Sequence, residues 1–263
     1  MRFINPAKIC KGIELGEVPS DREIIRNTLT VAWPSVLESF FVNLASMIDT
    51  IMVSSVGSFA IAAVGLTTQP KMLGLAVFLS LNVAVSAIVA RRKGAGDRES
   101  ANRVVRLCLL VTLVLTALIS GLFMVFADPI IRLVGSQPDT HKYAVEYLKI
   151  IMGGQVFNTV SLVLNAAQRG AGNTRIAMTT NLISNVVNVI FNYLLIGGNF
   201  GFPALGVRGA AIATVLGTVC ACGMSIASVL RKDSFINLRS VKGWLPERQS
   251  INSIGNVWSS SLV

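Results

Sequence analysis

The chain has 263 residues, 52% of them apolar and only 14% charged, and its formal net charge is +10. A soluble domain carries about 25% charged residues, so an ordinary water-soluble fold is excluded, and so is intrinsic disorder. Cys10, Cys108, Cys220 and Cys222 are too few in a chain this long for a disulfide scaffold. Cys220 and Cys222 lie in an apolar run with no His nearby and read as small membrane residues, not as a metal or redox pair.

Residues 1–27 form an N-terminal segment rich in charge, with no apolar core long enough for a signal peptide. It reads as a cytoplasmic tail with a short amphipathic stretch. A membrane helix needs about 20 mostly apolar residues. Charge-poor runs of that length predict six spans at roughly 28–53, 60–90, 105–127, 142–168, 175–198 and 207–230. The polar turn at 54–58, with Gly57 inside it, separates the first two. Residues 231–263 read as a cytoplasmic linker and the start of a seventh helix.

The first span carries Glu38 and Asp49, 11 residues apart and therefore on one helix face. Pro34, one turn before Glu38, frees a backbone carbonyl and bends the helix. Ionisable groups in a bilayer are costly and point to function. Two readings are open for each acid: a cavity residue, or a charge near the cytoplasmic (Glu38) or outer (Asp49) interface. Of the basic residues, only Lys71 and Lys149 lie within spans away from their first two residues.

The fourth span carries Gln155, Asn158, Ser161, Asn165 and Gln168; the fifth carries Asn181, Asn185, Asn188 and Asn192 at spacings of 4, 3 and 4. Each unpaired amide costs several kcal/mol in lipid, so these stripes face a bundle interior or a wet cavity. Interhelical hydrogen-bond glue is one reading; four amides in register favour a water-filled cavity or an ion site. The sixth span shows small residues every four positions: Gly209, Ala213, Gly217, Ala221 and Ser225. This spacing lets helices approach closely. Thr214 stands beside that ladder, available for packing or as a hydroxyl ligand. The Gly94-Ala95-Gly96-Asp97 and Gly170-Ala171-Gly172-Asn173 loops follow no strand. They read as tight cytoplasmic turns and not as nucleotide-binding loops.

With the N-terminus inside, the cytoplasmic segments hold 18 of the 23 basic residues. That asymmetry orients both chain ends to the cytoplasm and explains the basic charge without nucleic acid, for which no aromatic-interleaved basic patch exists. The one histidine, His141, falls in an outer loop, and no Ser/His/Asp set, metal-ligand cluster or carboxylate pair is legible. The sequence therefore predicts a non-enzymatic, multi-pass protein of the cell (plasma or inner) membrane, with no cofactor.

Several segments, in order, resemble the multidrug and toxic compound extrusion (MATE) transporters. Ala32-Trp33-Pro34 followed by Asp49-Thr50-Ile51-Met52-Val53 is similar to the family's first helix. Ala60-Ile61-Ala62-Ala63-Val64-Gly65-Leu66 is similar to its second, and Ala90-Arg91 with the 94–97 turn to the loop after it. The loop at 169–175, the run Asn188-Val189-Ile190-Phe191-Asn192-Tyr193 and the stretch 201–214 are similar to the entry to helix five, helix five itself and the entry to helix six. The resemblance implies an all-α integral membrane fold: a six-transmembrane-helix bundle like the N-terminal lobe of a MATE transporter, both ends cytoplasmic. It also implies a chain truncated after the first lobe, since Trp258-Ser259-Ser260-Ser261-Leu262 echoes Trp33-Pro34-Ser35-Val36-Leu37 as a second repeat would.

The function so implied is secondary antiport of organic, often cationic, compounds against H+ or Na+. Its partners would be membrane lipid, small organic substrates, and the missing second lobe or a second copy of the chain. By position, Asp49, Asn188, Asn192 and Thr214 match the family's cation site, and Asp49 is the one place for a sodium ion. Some members carry Asp where Asn192 stands. Glu38, Asn158, Asn165, Asn181 and Asn185 are expected around the substrate cavity. A lipid-linked oligosaccharide flippase of the same superfamily and a non-transporting fragment are the alternatives.

Overall fold

The computed structural model describes residues 20–231 and 234–237. The expected amphipathic tail and the expected second-repeat start both fall outside these residues. The described chain is helical: α1 Asp21–Ser54, α2 Ser58–Leu66, α3 Thr68–Gly94, α4 Arg98–Val125, α5 Ala127–Leu133, α6 Pro138–Gly170, α7 Thr174–Gly197 and α8 Val207–Leu230. Six stretches are long and apolar enough to cross a membrane. The second combines α2 and α3 and the others lie in α1, α4, α6, α7 and α8.

Two boundaries differ from the sequence expectation. α1 starts at Asp21, not near 28, because Ser20 and Glu23 close a capping box: Ser20 Oγ accepts from the Glu23 amide at 3.3 Å and Glu23 Oε2 accepts from the Ser20 amide at 3.2 Å. The second span is broken at Thr67. Pro70 has no amide proton for the Leu66 carbonyl, and the chain tightens there into shorter bonds. The Thr67 amide (3.2 Å) and Thr67 Oγ1 (2.7 Å) both donate to the Val64 carbonyl.

α6 is the most deeply buried helix, packed between α3, α4 and α8. Around it lie two apolar cores. One, at the end bearing the Gly-Ala-Gly turns, gathers Val85, Val89, Val105, Leu164 and Ala167. The other, at the opposite end, gathers Ile131, Leu148, Met152, Val207 and Ala211. Lipid offers no hydrophobic drive between helices, so close van der Waals packing must hold the bundle. The small-residue face of α8 meets that need. A side chain on Gly217 would stand 2.8 Å from the Ser184 carbonyl oxygen of α7, and one on Gly209 would strike the Leu195 carbonyl.

The two Gly-Ala-Gly turns share one geometry. Gly96 (φ 71°) and Gly172 (φ 79°) adopt the left-handed conformation that glycine allows. The Asp97 amide then reaches back to the Arg92 carbonyl at 3.0 Å, and that of Asn173 to Gln168 at 2.8 Å. Lys93 Nζ donates to the Ala171 carbonyl and ties the two turns together.

α1 stands apart from this packing. Its membrane-crossing stretch is the least buried of the six, and it leaves Trp33, Phe40 and Met47 exposed. It leans mainly on α7, and the groups that attach it there are polar.

Candidate functional site

The amide stripe of α7 divides into two parts, each receiving one acid of α1. Near one end of α1, Asp49 Oδ1 accepts from Asn192 Nδ2 at 2.5 Å. Asn188, one turn earlier on α7, is assigned with its amide nitrogen toward the carboxylate, the orientation in which its donors meet acceptors. That nitrogen lies 2.8 Å from Asp49 Oδ1 and 3.0 Å from Oδ2, and the amide oxygen then lies 3.3 Å from Thr214 Oγ1 on α8. Asn188 and Asn192 are buried; Asp49 is half-buried. Asp49, Asn188, Asn192 and Thr214 thus come from three helices to one place. Asn192 Oδ1 is buried and meets no donor. An unpaired acceptor beside a carboxylate is an ill-satisfied arrangement that a cation would complete. Carboxylate, amide and hydroxyl oxygens are the ligands of a hard cation, and a single carboxylate equally suits one proton.

The group opens on a cavity of about 470 Å³ whose wall includes Asp49, Thr50, Lys71, Tyr147, Asn192 and Thr214. A second cavity of about 300 Å³ is lined by Gln155, Asn158 and Thr218 and shares Thr68, Lys71 and Thr214 with the first. Lys71 Nζ sits 5.1 Å from the centre of the Tyr147 ring. Tyr147 went unremarked in the sequence, because only the packed helices show that its ring borders this cavity.

At the other part of the stripe the arrangement differs from expectation. Of the five residues expected around a substrate cavity, only Asn158 has its place on one of these two walls. Glu38 Oε1 accepts from Arg169 Nη2 at 2.6 Å and from Asn181 Nδ2 at 2.5 Å. Asn181 Oδ1 lies 3.4 Å from Asn165 Nδ2, and Asn165 Oδ1 accepts from Ser225 Oγ at 3.1 Å. Glu38, Asn165 and Asn181 are therefore spent on a network joining α1, α6, α7 and α8. Asn185 lies between the two parts, and its buried Nδ2 has no acceptor. The reason for the difference is Arg169, which reads as a turn residue in the sequence but reaches the Glu38 carboxylate from the end of α6.

The sequence shows no Ser/His/Asp set, yet the fold aligns one. Ser136 Oγ lies 2.7 Å from His141 Nδ1, and His141 Nε2 lies 2.8 Å from Asp128 Oδ1. The His141 hydrogen bond, with help from Arg132, holds the Asp128 carboxyl below the usual carboxylate range. The backbone amides around Ser136 are already committed. Gly135 donates to Arg132, Ser136 to Ile131 and Gln137 to Thr140 Oγ1. No pair of amides is left to hold an oxyanion, so the three residues act as a clasp between α5 and α6.

The chain matches the MatE family model over residues 34–194. It is 30% identical over 239 residues to the probable multidrug resistance protein NorM of Thermotoga maritima, a match covering 89% of this chain and 49% of that protein. It is similar to a multidrug resistance MATE family transporter of the MOP superfamily in its outward-facing conformation, with a TM-score of 0.81 and 26% identity over 89% of this chain and 51% of that one. An inward-facing conformation matches with a TM-score of 0.74 and 28% identity over 83% and 49%. The chain spans about half the length of the relatives it matches.

Proposed function

The chain belongs to the MatE family of membrane transporters, and from that premise we propose that it forms the first lobe of an antiporter exporting organic, often cationic, compounds in exchange for H+ or Na+. The observation that carries this reading is the Asp49 carboxylate held by Asn188 and Asn192 on a cavity wall, beside an amide oxygen left without a donor. The remaining half is supplied by the second lobe of a longer chain or by a second copy. The basic residues of the turns at 91–106 and 169–175 support an orientation with those loops and both chain ends on the cytoplasmic side of the cell membrane. No catalytic step and no cofactor enter this function.

The mechanism follows from how α1 is attached. Two polar anchors, at Glu38 and Asp49, stand ~16 Å apart along the helix at 1.5 Å per residue, and apolar packing adds little. Asp49 takes up a proton or sodium ion from outside. Once neutralised, it draws the amides of α7 less strongly. α1 then bends near Pro34 and repacks against α7 and α8, which closes the cavity and expels the compound. Return to the inward state releases the ion and restores the charged carboxylate with its amide hydrogen bonds. The lobe resembles both an outward-facing and an inward-facing relative, which supports alternating access by a lobe that moves largely as a unit.

The test is gradient-driven transport of ethidium and of the carboxylate-bearing cation tetramethylrhodamine in everted vesicles carrying the intact gene product. Asp49→Asn is expected to abolish the component driven by a proton or sodium gradient. Unchanged transport in that variant overturns the assignment. Translocation of a lipid-linked oligosaccharide without transport of either dye would make the protein a flippase, and movement of none of the three a non-transporting lobe.

A further inference from the structure

Lys71 is a base inside a membrane-crossing stretch, on the wall of a cavity that also presents an acid, Asp49. The break at Thr67 and the proline at position 70 set the start of α3, and Lys71 follows on its first turn. Its side chain is half-buried and lines both cavities, at the wall they share. Its ammonium stands over the face of Tyr147, 5.1 Å from the ring centre. Among the described residues no carboxylate forms an ion pair with it: Glu38 is taken by Arg169, Glu146 by Arg208, Asp128 by Arg132 and His141, and Asp49 by the amides of α7. An aromatic face offsets only part of the cost of an ammonium held away from bulk water.

An ammonium on the wall of two cavities, with an aromatic ring beside it and no carboxylate paired with it among the described residues, suits an anionic group. The same cavity presents Asp49. A ligand filling it meets one acid and one base. We infer that Lys71 is the anion-recognising residue of the substrate site and that the exported compounds carry a carboxylate or phosphate beside their cationic or apolar body. This inference rests on the reading of the chain as the first lobe of an exporter. It narrows the substrate class from organic cations in general to compounds with an added acidic group.

The experiment uses two dyes that differ in one group: tetramethylrhodamine, with a free carboxylate, and its methyl ester. Fluorescence anisotropy with the purified, intact gene product in detergent gives each affinity at equilibrium, with no ion gradient. The free acid is expected to bind more tightly than the ester. Lys71→Gln should weaken the acid on the order of tenfold, the scale of one lost charge-assisted hydrogen bond, and leave the ester within about twofold. Lys71→Arg should keep the preference for the acid. Tighter binding of the ester by the unmodified protein overturns the inference without any variant. So does an equal loss for both dyes in Lys71→Gln, the result expected if Lys71 pairs instead with a carboxylate in the other half of the transporter. Absence of ion-driven transport with the acid preference intact would overturn the antiporter reading alone; an unaltered acid-to-ester ratio with transport intact would overturn the role of Lys71 alone.

Discussion

Asn192 donates to Asp49 Oδ1 over 2.5 Å while its own buried carbonyl oxygen meets no donor. The amide thus stabilises the carboxylate and at the same time holds an acceptor ready beside it. Affinity for a hard cation rises with the number of charged ligands. Replacing this amide by a second carboxylate, Asn192→Asp, is expected to tighten sodium binding about tenfold. Isothermal titration of the purified protein with sodium chloride in place of choline chloride reads the change. A weaker or unchanged affinity would place the ion elsewhere.

The other anchor of α1 is a partly buried ion pair. Glu38 keeps 13% of its side-chain exposure and Arg169 34%. Removing one member strands the other, but water reaching Arg169 screens part of the cost. Glu38→Gln is expected to lower stability by about 1–2 kcal/mol. Arg169→Gln should cost a similar amount, and the double variant should cost less than the sum, because both remove the same contact. Thermal unfolding in detergent measures all three, and strict additivity would show that the pair contributes nothing.

The packing of α7 on α8 makes a sharper prediction. Gly217→Val places a branched side chain against the Ser184 carbonyl at the position where even a Cβ comes within 2.8 Å. Over-packing of this kind costs about 1–3 kcal/mol or more, since two helix backbones must separate. Gly223 on the same helix has open space around it, so Gly223→Ala is expected to stabilise by up to about 1 kcal/mol through helix propensity. Equal effects at the two positions would contradict the close approach.

Much of this was legible in the residues, and the limits have physical causes. The spans follow from charge-poor runs, because lipid excludes unpaired charge at any position of the fold. The i, i+4 spacing of Asn188 and Asn192 puts both amides on one inward face, and their grouping with Asp49 is implied by the resemblance to the MATE transporters. What spacing cannot show is which acid each amide meets. Asn181 lies on the same stripe but turns to Glu38, a choice made by Arg169 from 131 positions away in sequence. Ser136, His141 and Asp128 are close in the chain, yet they align only because the left-handed Gly135 (φ 95°) reverses the backbone between α5 and α6.

That clasp gives a pH dependence with a fixed sign. The His141 hydrogen bond is the main cause of the depressed Asp128 pKa, and the ordinary value for the group is 3.8. A carboxyl whose folded pKa is depressed contributes stability above its unfolded value and loses it as pH falls through the folded one. The contribution is therefore complete at neutral pH, starts to fail near the ordinary value of 3.8 and is lost as pH falls on through the lower folded one. Melting temperatures from pH 6 to pH 3 should fall more steeply for the unmodified protein than for Asp128→Asn, which has no carboxyl to titrate. The two curves should draw together toward the acid end, as protonation makes Asp128 more like asparagine in charge. Parallel curves would mean that the clasp does not contribute to the folded state, and that α5 is held on α6 by Ile131 and its apolar neighbours alone.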